Sequence, residues 1–109
     1  MMKYEIRTSV KFEADFDAIV GWICRYSLKN AAMVVDSVND AVDSLEIMPE
    51  RCQYAREKEK HDRLAVLNLR QIVVKNHRII FAIKEDAVYL LAISHCRQNM
   101  RSAEDVLSS

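Results

Sequence analysis

One glycine, Gly21, and one proline, Pro49, are all that the 109 residues contain of the two strongest breakers of regular structure. With no glycine after residue 21, no glycine-rich turn exists to cradle a phosphate, which excludes P-loop and dinucleotide-binding functions. Cysteine is scarce as well. Cys24, Cys52 and Cys96 are odd in number and widely spaced, which fits neither a disulfide framework nor a paired-cysteine metal site, so free thiols without catalytic duty are expected. Zinc on His95 and Cys96 would need two more ligands at workable spacing, and none is apparent. As neighbours on a strand these two residues point to opposite faces, so they do not form a nucleophile and base either. The expectation is no metal and no cofactor. No apolar run approaches the ~20 residues of a membrane span, and Met1, Met2, Lys3, Tyr4 and Glu5 lack a signal peptide's apolar stretch. A cytoplasmic protein without membrane contact is expected.

A net charge is the last thing missing, since 16 Lys/Arg face 16 Asp/Glu. This disfavours a uniformly basic nucleic-acid binder. The balance hides an asymmetry: residues 1–50 hold five Lys/Arg against nine Asp/Glu, and residues 51–109 eleven against seven, or net charges of −4 and +4. A basic surface on the second half remains open.

What is present is half apolar and over a quarter charged, the balance of a folded chain, and the length suits one domain over residues 1–109. Tyr4, Ile6 and Thr8 alternate with Glu5 and Arg7 at the period of a half-buried strand. The period then changes. Ser9 can cap a helix whose apolar positions Phe12, Phe16, Ile19, Val20, Ile23 and Tyr26 recur at spacings of three and four. Gly21 inside it costs about 1 kcal/mol against alanine, and close packing against a neighbour is the expected reason. After a break at 27–30, with Asn30 as the cap, Val34, Val35, Val38, Ala41, Val42, Leu45 and Met48 make a second amphipathic helix that Pro49 stops. So short a connector predicts an antiparallel hairpin.

Residues 50–63 are charge-dense with neither period sustained and read as a long solvated loop, a phosphate or partner contact being the sharper alternative. Three strands follow, at 66–74, 78–84 and 88–95. Lys75 and Asn76 make a two-residue turn, Asn tolerating positive φ, and 84–87 makes the second, giving an antiparallel meander. Counting outward from that second turn sets residue 78 opposite the region of residue 93. The tail from Asn99 to Leu107, with Met100, Ala103 and Val106, is expected to be a short final helix. The fold class is therefore α+β: an N-terminal strand and an antiparallel helix hairpin packed on a twisted, mainly antiparallel sheet completed by the C-terminal meander.

Particular residues on this frame resemble the RelE/ParE toxin superfamily, the toxic halves of bacterial toxin-antitoxin pairs, and its ParE-like branch in particular. Ser9 followed by Asp15-Phe16, Ile19 and Trp22-Ile23 is similar to the family's first helix, and Ala31-Ala32 with Leu45 and Pro49 to its second. Pro49, Arg51 and Cys52 resemble a Pro-x-Arg-Cys turn of one branch. Leu69-Arg70, then His77-Arg78-Ile79 with Phe81, then Leu91, His95 and Arg97 follow the family's sheet pattern. Two departures weigh against RNA cleavage: histidine replaces the usual aromatic at position 77, and the basic pair near the last strand's end is reduced to Arg97 before Gln98.

The resemblance implies a type II toxin of the plasmid-stabilisation kind, partnered by a cognate antitoxin in a toxin-antitoxin hetero-oligomer. A ParE-like toxin would poison DNA gyrase, and the net neutrality favours that target, since an enzyme gathering phosphates is ordinarily basic. A RelE-like ribosome-dependent mRNA endoribonuclease is the second reading, and a degenerate antitoxin-binding member without toxicity the third. The residues that the resemblance makes catalytic in an RNase are Arg70, Arg78, His95 and Arg97, cations for a developing phosphorane and a histidine able to move a proton near neutral pH. Arg78 and Arg97 are expected close together on neighbouring strands. The competing readings are that Arg70 and Arg78 are sheet residues paired with acids and that His95 is structural. His61 and His77 read as surface residues, and Trp22 as core or a partner anchor.

Overall fold

Ser9 makes the first change of direction. In the computed structural model, which describes residues 3–98 and 103–107, its backbone is extended (φ −79°, ψ 157°) and its hydroxyl accepts the Phe12 amide at 3.0 Å. Strand β1 (Glu5–Thr8) thereby passes straight into helix α1 (Val10–Cys24). The same hydroxyl donates to the Leu91 carbonyl at 3.2 Å, tying the start of α1 to the sheet.

Helix α2 (Leu28–Ser44) begins earlier than Asn30 because Ser27, not Asn30, is the cap: its extended backbone (φ −162°) lets its hydroxyl accept the Asn30 amide at 3.1 Å. The helix also ends before Met48. Leu45 is its C-cap, and Met48 sits in the left-handed region at φ 49°, exposed. Arg51 braces that ending by donating Nη1 to the carbonyls of Ser44, the last helical residue, and of Ile47 and Met48 beyond it. Gly21 is a second correction. A Cβ built there meets nothing within 4 Å, so the glycine serves no close packing.

Residues 49–65 are not a solvated loop. They form 3₁₀ turns at Pro49–Arg51 and Arg56–Glu59 and a short helix α3 (Asp62–Ala65), with Ala55, Glu57 and Leu64 buried. Leu64 and Ala55 fill a second core, and Glu57 finds an internal cation. Val66 is the exposed C-cap of α3, so the next strand starts only at Leu69.

Strands β2 (Leu69–Val74), β3 (His77–Lys84) and β4 (Ala87–His95) form the meander, and β1 adds to β4 in parallel, giving the order β1-β4-β3-β2. Both turns place the positive φ on the first residue, Lys75 at 57° and Glu85 at 58°; Asn76 is not the left-handed one. A bulge between Ile80 and Phe81 leaves Leu91 as the extra residue of β4, so Arg78 pairs with Ser94, one position from the expected 93.

The sheet is covered on both faces. Phe12, Val38 and Leu45 from the hairpin pack on Ile79, Phe81, Leu90 and Ile93; on the other face Ala55, Leu64, Ala103 and Val106 pack on Leu69, Ile80, Ala82 and Ala92. Helix α4 (Glu104–Leu107) closes that second layer, while Asn99 and Met100 of the expected tail helix lie outside the described residues. Burying each of these Leu, Ile, Val and Phe side chains contributes roughly 1.5–3 kcal/mol before entropy is charged against it. Among the described residues no helix is long and apolar enough to cross a membrane.

Candidate functional site

Position 77 faces the helix hairpin because odd-numbered residues of β3 do, and the register sets it directly across from His95 at the end of β4. The two imidazoles meet edge to face, centroids 5.7 Å apart and planes at 72°. His95 is exposed, and its Nδ1 accepts the Arg97 amide at 3.1 Å, so in the neutral ring the proton sits on Nε2. His77 is half-buried, and its Nδ1 is buried with no hydrogen-bond partner among the described residues. Burial, reinforced by the nearby His95, holds its pKa below the usual histidine value.

These rings line a groove of about 1040 Å³ between α1 and the end of β4. Arg97 and Asp105 line it too, as do Lys11, Asp15, Ile19 and Trp22 from α1. Lys11 and Asp15 neutralise each other at 2.6 Å, a half-buried pair one helical turn apart. Trp22 is 58% exposed, meets Tyr26 edge on at 5.3 Å, and has Arg25 over its ring at 5.8 Å. A half-apolar groove with an exposed indole among its lining and cations and carboxylates in equal number suits a peptide segment.

The other candidate residues stand elsewhere. Arg78 is on the opposite face, 1% exposed, bound through both terminal nitrogens to the Glu57 carboxylate and through Nη1 to Gln71 Oε1 at 3.1 Å. Strand alternation turns Arg78 away from the groove that His77 enters, while its Nη2 reaches the Gln98 carbonyl at 3.3 Å, next to Arg97, so the two arginines meet at one turn without sharing the groove. Arg70 sits over the Tyr54 ring at 4.1 Å and donates to the carbonyls of Glu50 and Cys52 at 2.9 and 2.7 Å, with Nε on Asn68 Oδ1 at 2.9 Å. It pins residues 50–54 along the β2 edge. Of the four expected residues the structure brings together His95 and Arg97. It adds His77, Lys11 and Trp22, of which only Trp22 was singled out for contact.

All three cysteines are free, and burial pushes the Cys52 thiol up, away from nucleophilic thiolate. Among the described residues no group of three or more His, Cys, Asp or Glu is placed to hold a metal.

A family model described as the ParE toxin of type II toxin-antitoxin system, parDE, matches residues 6–100. Among solved structures, a chain of the chromosomal ParDE TA system from P. aeruginosa is similar at 19% identity and a TM-score of 0.65, over 85% of this chain and 96% of that one. A chain of the toxin-antitoxin complex RelBE2 from Mycobacterium tuberculosis is similar at 19% identity and a TM-score of 0.57, over 90% and 97%. No match to a curated protein was found. At such identities the two structures carry the fold, and the family model carries the assignment.

Proposed function

The chain belongs to the ParE toxin family of type II toxin-antitoxin systems, and from that premise we propose that it acts by inhibiting DNA gyrase and is silenced by a cognate antitoxin lodged in the groove between α1 and the end of β4. The observation that carries this reading is the employment of the two arginines an RNase would present to phosphate: Arg78 is sealed against Glu57, and Arg70 is spent on backbone carbonyls. Neither guanidinium is free to meet a phosphorane. A toxin acting through protein contacts does not need them.

The antitoxin reading draws on the solved relatives, both of which come from toxin-antitoxin systems, and on an open, half-apolar groove of about 1040 Å³. A second reading, RelE-like ribosome-dependent mRNA cleavage, draws on His77, His95 and Arg97 sharing one groove. Gyrase supercoiling measured with the purified chain, beside primer extension on messenger RNA after induction, separates the two. The expected result is loss of supercoiling with intact messages. Cleaved messages with unaffected gyrase would establish the RNase instead.

A further inference from the structure

The turn that carries Arg97 into the groove is held from outside it. Strand β4 ends at His95, and over the next three residues the chain is fixed by backbone bonds: Cys96 N–H donates to Asn76 O at 2.8 Å, and Gln98 N–H to His95 O at 2.9 Å. The carbonyls of that turn are taken by guanidinium groups. Arg56 Nη2 donates to Cys96 O at 2.8 Å and Gln98 O at 3.3 Å, and Arg78 Nη2 donates to Gln98 O at 3.3 Å. Arg56 is itself located by its own backbone, whose N–H reaches Gln71 Oε1 at 3.3 Å, the same oxygen that accepts Arg78 Nη1.

We propose that Arg56 is a positioning residue for the groove: by clamping the carbonyls of Cys96 and Gln98 it fixes the turn in which the Arg97 amide meets His95 Nδ1, and so sets the orientation and tautomer of His95. The inference rests on the groove being the antitoxin's seat. Three features select Arg56 rather than the whole network. It is exposed, so its loss opens no core; it contributes two of the three guanidinium contacts to the turn; and charge-assisted bonds are about twice as strong as neutral ones. Arg78 cannot replace it, because its other bonds hold it to Glu57 and Gln71 beneath the sheet.

The test uses the full chain as wild type, Arg56→Ala and Arg56→Lys. Amide exchange at Cys96 and Arg97 and the ring nitrogen shifts of His95 are followed by NMR, with amides of β3 reporting the global fold. In Arg56→Ala, exchange at Cys96 and Arg97 is expected to rise about tenfold and the His95 Nδ1 signal to move, while β3 amides are unchanged. Arg56→Lys, which can reach one carbonyl, is expected to recover part of both. Unchanged exchange and unchanged His95 signals in Arg56→Ala would overturn the proposal, as would equal acceleration in β3. Affinity for the cognate antitoxin is read in parallel and is expected to weaken in Arg56→Ala. If the turn loosens while the antitoxin binds as tightly as to wild type, the positioning stands and the groove is not the antitoxin's seat.

Discussion

His77 opens β3 and His95 closes β4 with their rings in contact, and the depressed pKa of His77 has a definite consequence for stability. The unfolded histidine takes up its proton near pH 6.5, while folded His77 takes it up only at lower pH, so in that window the unfolded chain binds more protons. Stability therefore falls as pH drops from about 6.5 toward the folded value. Thermal melts at about pH 7.5 and about pH 5.5 should show a lower Tm at the acid end, and His77→Gln should flatten the difference. An equal acid loss in His77→Gln would assign it to other groups. Gly21 gives an independent check at the same scale. It lies in open space within α1, so Gly21→Ala should stabilise the chain by about 1 kcal/mol in a denaturant titration, and a loss would mean the position is packed after all.

Among the elements, α1 and α2 were legible because each buries one stripe and a repeating burial leaves a repeating sequence, and the meander because strands buried on both faces read as near-continuous apolar runs between turn residues. The Ser9 cap was readable for the same local reason. The cap of α2 was not, since Ser27 and Asn30 are both acceptable residues and only backbone geometry chooses between them. Replacing Ser27 by Ala should cost about 1 kcal/mol, and Asn30→Ala far less; the reverse order in urea melts would restore Asn30 as the cap. Residues 56–63 were illegible for a deeper reason. Glu57 stands among Arg56, Lys58, Glu59 and Lys60, and nothing local distinguishes the one carboxylate that a buried arginine 21 residues away will claim. That pairing also decides the candidate site, because it takes Arg78 out of it. Glu57→Gln should destabilise the fold by roughly 3–5 kcal/mol, since it leaves Arg78 as an uncompensated buried charge. Glu57→Met with Arg78→Met should cost less than Glu57→Gln alone, and a double variant as unstable as the single one would mean that shape rather than charge is at stake.

At the scale of the whole molecule, two covered sheet faces leave a large groove beside exposed aromatic surface: Trp22 is 58% and Tyr26 73% exposed, within a chain that buries Phe12 and Phe81 almost completely. Exposed indole beside a half-apolar groove fits a surface completed by another chain, and central aromatic anchors carry a large share of such binding. The sequence could place Trp22 on α1 but could not say which way it faced, because Phe16, Ile19 and Ile23 make an apolar stripe wide enough to include it. Truncating it should separate folding from binding. Trp22→Ala should leave the Tm of the isolated chain nearly unchanged and weaken the cognate antitoxin by about 2 kcal/mol or more, some thirtyfold in Kd. The wild-type chain reports on itself, as Trp22 is its only tryptophan. Its emission should shift to the blue as the antitoxin, chosen without tryptophan of its own or with it replaced, is titrated in, and the complex at a hundredfold excess over Kd should gain about 2.7 kcal/mol in stability. Tight binding with unmoved emission and an unimpaired Trp22→Ala would put the antitoxin on some other face and leave the groove to the target.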